Sequence, residues 1–243
     1  MKPILHDLAL CYQPTVTTCG YASLSTLMSH YGQQVSVDTL LRDVPQGLAE
    51  NGEPIGSITA QLATWCARQG FKVDFWSFDF LITDFGWSGL SQTEVLERLK
   101  VVRNIRDVPQ VGGKLWSEIY VQAYIDLIEA GGTLHIEPHV TSRLLYEKLQ
   151  RGPIFVNIAP SVVSGEGRAT SPRHDERFDI PDDVHGTIGT HSIVVYGINE
   201  AGEFLVADPW YGERTIDTET LLCAIASANI ECDSQCFQLE KVG

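Results

Sequence analysis

The chain has 243 residues, 44% hydrophobic, 20% charged and 9% aromatic, a composition that excludes disorder, collagen-like repeats and coiled coil. Seventeen Lys and Arg against 31 Asp and Glu leave a formal charge of −14, a field that repels phosphate backbones and anionic head groups, so nucleic acid is not an expected partner. No run reaches the roughly 18 apolar residues of a membrane span, and Met1-Lys2-Pro3-Ile4-Leu5-His6-Asp7 lacks the features of a secretory signal, so no integral membrane segment is expected and the expected compartment is the cytoplasm.

The first helix is expected over 19–31, where Gly20, Leu24, Leu27, Met28 and Tyr31 recur on one side, with Thr17 and Thr18 as N-cap candidates and Gly32 as a stop. Further helical patterns cover 37–42, 58–69, 92–101, 118–130 and 142–150, so the first 150 residues read as mainly helical. Within them, 74–115 carries Phe75, Trp76, Phe78, Phe80, Phe85 and Trp87 and reads as an aromatic-rich insertion packed on the main body. After Gly152-Pro153 the pattern changes to short β-branched runs at 154–158, 190–198, 203–207 and 236–239, with one helix near 218–228. The connection 160–189, rich in Gly, Ser, Pro, Asp and His, is long enough to read as a lid, a binding loop or a disordered segment.

Cysteines at 11, 19, 66, 223, 232 and 236 are too few for a disulfide scaffold and too scattered for a zinc ribbon. Cys19 is the one placed at a helix start, where free N–H groups and the positive end of the macrodipole favour a thiolate. Far downstream, Thr190 to Ile198 and Glu203 to Asp208 flank a Gly-containing turn and form a hairpin. Pairing Ile198 with Glu203 sets His191 opposite Trp210 and Asp208 opposite Ile193, so His191 and Asp208 become diagonal neighbours on one face. A carboxylate at that depth in apolar surroundings needs a partner, and His191 supplies one, which leaves its second nitrogen free to take a proton. A structural His–Asp pair would read the same way. Gln13, six residues before the sulfur, could join the Cys19 N–H as a donor to a tetrahedral oxyanion.

Gln13, Cys19-Gly20, Ala22, Leu24 and Tyr31-Gly32, together with His191-Ser192-Ile193-Val194-Val195 and Asp208-Pro209-Trp210-Tyr211-Gly212, resemble the bacteriocin-leader peptidases of papain-like fold. The resemblance implies an α+β papain-like fold, with Gln13 as oxyanion donor, Cys19 as nucleophile, His191 as base and Asp208 as its orienting residue. The pattern departs in Thr18, where the family usually carries Asp, and in a longer separation between the Cys and the His. The transporter modules that accompany exporter-linked members are absent, so cleavage of a double-glycine leader does not follow.

Other candidates read as structural. His30 lies about 16 Å along the helix from Cys19, too far to act as its base. His135 and His139 are separated by Pro138, which argues against a metal-binding helix face. Cys232 and Cys236 form at most half a zinc site, and His174 and His185 fall in an acidic loop with Asp175, Glu176, Asp179, Asp182 and Asp183. No cofactor and no metal are expected. The expectation is one papain-like domain over 1–243, acting on a peptide or other amide-containing substrate as a cysteine-dependent hydrolase through a thioester. The alternatives are acyl transfer by the same site, or a peptide-binding domain without turnover.

Overall fold

In the apolar run beginning at His191 every second side chain faces the same way, yet nearly all of them are buried, so this strand must be covered on both sides. The computed structural model, which describes residues 2–48, 52, 54–107, 114–164, 169–170, 180–186 and 188–242, builds both covers. The elements in the first half are β1 (Ile4–Leu5), α1 (Cys19–His30), α2 (Val37–Asp43), β2 (Gly47–Leu48), β3 (Pro54–Gly56), α3 (Thr59–Arg68), β4 (Phe71–Ser77), α4 (Gln92–Val102), α5 (Lys114–Glu129), β5 (Thr133–Ile136) and α6 (Ser142–Leu149). The second half holds β6 (Ile154–Ile158), α7 (Pro160–Ser164), β7 (Ala169–Thr170), β8 (Ile180–Pro181), β9 (His191–Ile198), β10 (Phe204–Asp208), β11 (Gly212–Ile216), α8 (Thr218–Ser227) and β12 (Gln235–Lys241).

Eight strands form one sheet in the order β11-β10-β9-β6-β12-β4-β5, with β1 added on β9. Its pairs are antiparallel except β4 with β5. A parallel pair needs a crossover, and α4 and α5 supply it. On one face Val194, Phe155, Phe237, Phe75 and Ala207 pack with residues of α1, α3 and α5; on the other Ile193, Val195, Val156, Phe204 and Trp76 pack with residues of α6 and α8. Local chemistry fixes the helix starts: Ser91 and Glu94 form a reciprocal capping box on α4, and Asp217 caps α8 through the Thr220 N–H. Among the described residues no helix is long and apolar enough to cross a membrane.

The architecture is α+β, as expected, and the anticipated helices stand within a few residues of their expected limits. The N-terminal part is less purely helical than its pattern implied. It contributes β4 and β5 to the main sheet, and the boundary at 74 falls inside β4, with Phe75 and Trp76 as sheet residues on opposite faces rather than part of an added segment. Alternating burial on β4 carries the strand signal, but Lys72 and Asp74 interrupt its apolar run and the aromatics drew the reading towards an insertion. The 160–189 connection opens with α7 and contains the β7–β8 pair. Positions 165–168, 171–179 and 187 of the segment read as a lid or binding loop lie outside the described residues.

Candidate active site

Cys19 is the first residue of α1 and is partly exposed. Thr18 occupies the N-cap position without capping: its hydroxyl donates to the Thr15 carbonyl (2.8 Å) and accepts from the Thr15 N–H (3.0 Å), closing the turn before the helix. Among the described residues no side chain caps the N–H groups at the sulfur end of α1, where the helix dipole favours negative charge. Gly20 lets this end approach its neighbour closely, since a Cβ there would lie 2.0 Å from the Ser57 hydroxyl oxygen. One turn along, Ser23 donates to the Ser192 carbonyl (2.8 Å) and fastens α1 to β9.

The other half of the site is built by a register change. Near the turn Phe204 pairs with Ile198 and Leu205 with Gly197, but an irregularity between Leu205 and Val206 shifts the ladder so that Val206 pairs with Val195 and Ala207 with Val194. The bulge removes one residue from the count. The register expected for the far end of the hairpin is thus the one that forms there, although the pairing assumed next to the turn does not. His191 Nε2 lies 2.9 Å from Asp208 Oδ1. The Cys19 sulfur lies near enough to the ring for each to shift the other's ionisation, and Trp210 meets the imidazole edge-on with centroids 5.3 Å apart.

Charge follows from these contacts. Burial opposes ionisation of His191, but the Asp208 carboxylate and the sulfur outweigh it and push the imidazole up to about 9. Burial likewise opposes the Cys19 thiolate, and the hydrogen bonds and charge of His191, with added bonds from Ser192, bring the thiol below its ordinary value. Asp208 is wholly buried, yet its carboxyl is held down at about 2 because His191, Arg214 and the Trp210 N–H together exceed the desolvation penalty. His191 thus favours the thiolate at Cys19, and Asp208 with Cys19 favours the imidazolium at His191.

Of the expected site residues, the structure joins His191 to Asp208 by a 2.9 Å hydrogen bond and sets the Cys19 sulfur within interaction range of the same ring. Gln13 is buried beside them, its N–H bonded to the Pro209 carbonyl (3.0 Å) and its Nε2 to the Thr15 carbonyl (2.9 Å). One hydrogen of that amide is thus committed to the 13–18 turn, and the second is left. Two groups escaped the sequence reading. Arg214 reaches Asp208 Oδ2 at 2.6 Å and lies over the Tyr211 ring; it sits on β11 opposite Val206, hence diagonal to Asp208, and would have been found by the same argument as His191 had β11 been recognised. A buried relay runs from Ser192 through Asn157 to Thr59, with bonds of 2.9 and 2.6 Å, and polar residues within the apolar runs of β6 and β9 were its only trace.

Of the remaining candidates, His30, His135 and His185 have partners of their own. His30 Nδ1 lies 2.9 Å from the Asp7 carbonyl. His135 stacks on Trp76 and contacts Asp74, whereas His139 is exposed. Cys232 and Cys236 are buried in different core layers. His185 pairs with Asp182 on the surface; His174, Asp175, Glu176 and Asp179 lie outside the described residues.

No protein-family profile matches the chain, and no curated protein does. Two solved structures are similar over the whole chain. One, from Bacillus anthracis and titled a "putative C39-like peptidase", is 11% identical with a TM-score of 0.48, covering 100% of both chains. The other, a double glycine motif protease from an AMS/PCAT transporter in complex with the leader peptide, is 12% identical with a TM-score of 0.43, covering 100% of this chain and 99% of that one. Likeness this distant assigns no role to any residue, and the chemistry must be argued from the site itself.

Proposed function

We propose that the chain is a cysteine-dependent hydrolase of peptide or amide bonds, working through a thioester. The observation that carries this is the buried His191–Asp208 pair, with 2.9 Å between Nε2 and Oδ1, beside a cysteine at a helix start whose sulfur lies within interaction range of the ring. A structural His–Asp pair needs no sulfur at its second nitrogen and no cysteine at a helix start. Here the same ring has the carboxylate at hydrogen-bond distance and the sulfur nearby.

In this reading the Cys19 thiolate attacks the carbonyl carbon, and the oxygen takes up charge near the Cys19 N–H and the second hydrogen of Gln13 Nε2. The C–N bond then breaks as His191 gives its proton to the departing amine, leaving an acyl group on sulfur. A water, deprotonated by His191, attacks the thioester; the C–S bond breaks, the acid leaves and the ion pair is restored. Asp208 holds the ring orientation and stabilises the imidazolium throughout.

The test is digestion of a diverse peptide library by the protein and by Cys19→Ala, with new termini read by mass spectrometry. New carboxyl termini that depend on Cys19 support hydrolysis; adducts with an added amine, formed in place of free acid, would assign acyl transfer instead. Absence of any Cys19-dependent product, together with a Cys19 alkylation rate no higher than that of a simple thiol, would overturn the reading.

A further inference from the structure

The buried side of α1 carries hydroxyls among its apolar residues. Cys19, Ser23 and Thr26 follow one another at steps of four and three residues, so they lie on one face of the helix. Ser23 and Thr26 are wholly buried, and each serves a backbone group of another segment. Ser23 Oγ donates to the Ser192 carbonyl at 2.8 Å, and Thr26 Oγ1 accepts the Cys11 N–H at 2.9 Å. Three residues further on, Ser29 Oγ accepts the Ala9 N–H at 2.7 Å.

These bonds fix how the helix lies in the site. From Ile4 to Gln13 the chain runs as a strap whose partners step backwards through both elements. Ile4 pairs with Ile198 and the His6 N–H bonds the Tyr196 carbonyl on β9; Ala9 and Cys11 then meet Ser29 and Thr26 on α1. Helix and strand therefore run the same way. The start of α1 meets the start of β9 at the end of the strap, where the Gln13 N–H reaches the Pro209 carbonyl at 3.0 Å. Ser192, next to His191, is held by its side chain as well, with its hydroxyl 2.9 Å from Asn157 Oδ1 and Asn157 Nδ2 2.6 Å from Thr59.

A misplacement of about 1 Å in a reacting group can cost about a hundred-fold in rate. One of the α1 hydroxyls bonds the residue after His191, and the other bonds the residue two before Gln13. We propose that Ser23 and Thr26 are positioning residues of this site: Ser23 sets the Cys19 end of α1 against His191, and Thr26 holds the strap that brings the Gln13 amide to the oxyanion. The proposal rests on the hydrolase reading above and divides its geometry into two separable tasks, thiolate formation through Ser23 and oxyanion stabilisation through Thr26.

The experiment compares two readouts. The first is alkylation of Cys19 by iodoacetamide across pH 4 to 10, followed on the Cys19 peptide by mass spectrometry; it forms the S–C bond and releases iodide, so it needs the thiolate and no oxyanion. The second is kcat and KM on a peptide cleaved in the library digestion. In Ser23→Ala the alkylation midpoint is expected to rise by about one pH unit and kcat/KM to fall by about ten- to a hundred-fold. In Thr26→Val, which keeps the shape and loses the hydroxyl, the midpoint and KM stay while kcat falls by about ten-fold, and Thr26→Ser restores it.

Variants that keep the wild-type midpoint and kcat, with only the melting temperature lowered, would overturn the proposal and make both hydroxyls packing groups. Should Ser23→Ala not fold, Thr26→Val against Thr26→Ser decides, and equal kcat in the two overturns it. A wild type with the profile of a simple thiol and no Cys19-dependent product would instead strike at the hydrolase reading itself.

Discussion

Asp208 and Asp79 are both wholly buried, and they end in opposite states of charge. Asp208 Oδ1 receives His191, the Trp210 N–H and the Tyr211 N–H, while Oδ2 receives Arg214; its carboxyl is held at about 2. Asp79 Oδ1 receives only the Leu81 and Ile82 N–H groups, and its Oδ2 has no partner. Burial therefore prevails and pushes that carboxyl up to about 7. Asp233, close to Glu231 and Asp79, is pushed up by burial and by those like charges to about 8. Burial opposes the charge in each case; at Asp208 it is outweighed by four donors that include His191 and Arg214, and at Asp79 the two N–H groups and the charge of Arg106 do not suffice.

The sharpest way to break this contrast is to remove the charge and keep the shape. Asp208→Asn can still bond the ring but no longer stabilises imidazolium, so the His191 pKa should fall from about 9 and Cys19-dependent product formation should drop by about 10²- to 10⁴-fold. Activity equal to wild type would show that the carboxylate is structural. Next in size, Arg214→Met removes one cation and leaves the other. The Asp208 carboxyl should rise towards its ordinary value, at a cost of about 1–3 kcal/mol of stability at neutral pH, read by urea unfolding. An unchanged midpoint would mean that His191 and the N–H groups alone fix the charge.

The two regions also respond to acid in opposite directions. Asp208, with its folded pKa depressed, contributes stability that is present above about 4 and is lost as the pH falls towards 2. Asp79 and Asp233, with folded values raised, hold protons that the unfolded chain has released, so they favour the fold at low pH and lose that contribution as the pH rises to about 7 and 8. Melting temperatures across pH 2 to 9 should therefore pass through a maximum on the acid side of neutrality. A curve still rising between pH 6 and 9 would contradict this assignment. The smallest effect is expected from Asp79→Asn, which keeps an acceptor for the Leu81 and Ile82 N–H groups and removes the buried charge. Stability at pH 9 should increase by about 1–2 kcal/mol and at pH 4 should change little.

Much of the site could be read from the chain because its parts are local. Apolar spacing and the helix stop at Gly32 define α1 with Cys19 at its start, and strand alternation across a short turn puts His191 and Asp208 on one face. The bulge at Leu205 and Val206 shows how such a reading can reach the right pair through a wrong detail: the turn-proximal register differs, and the extra residue in β9 restores it further along. Arg214 was within reach of the same arithmetic, but Gly212-Glu213-Arg214-Thr215-Ile216 has too few apolar residues to declare itself a strand. Its outward positions face solvent at the sheet edge, so only pairing with β10 reveals it. β4 and β5 were missed for a related reason, since the sheet that shelters them is completed by β12 from the other end of the chain.

The sequence by itself determined which segments coil, which extend, and which side chains share a face, because those follow from periods of a few residues and from the backbone preferences of Gly, Pro and the capping residues. Tertiary structure decided that α1 brings the sulfur near the imidazole, that Arg214 closes over Asp208, and that Ser192, Asn157 and Thr59 join in a buried relay. Those contacts join residues with no shared period, and their charge states depend on how much water the packed helices and sheet exclude.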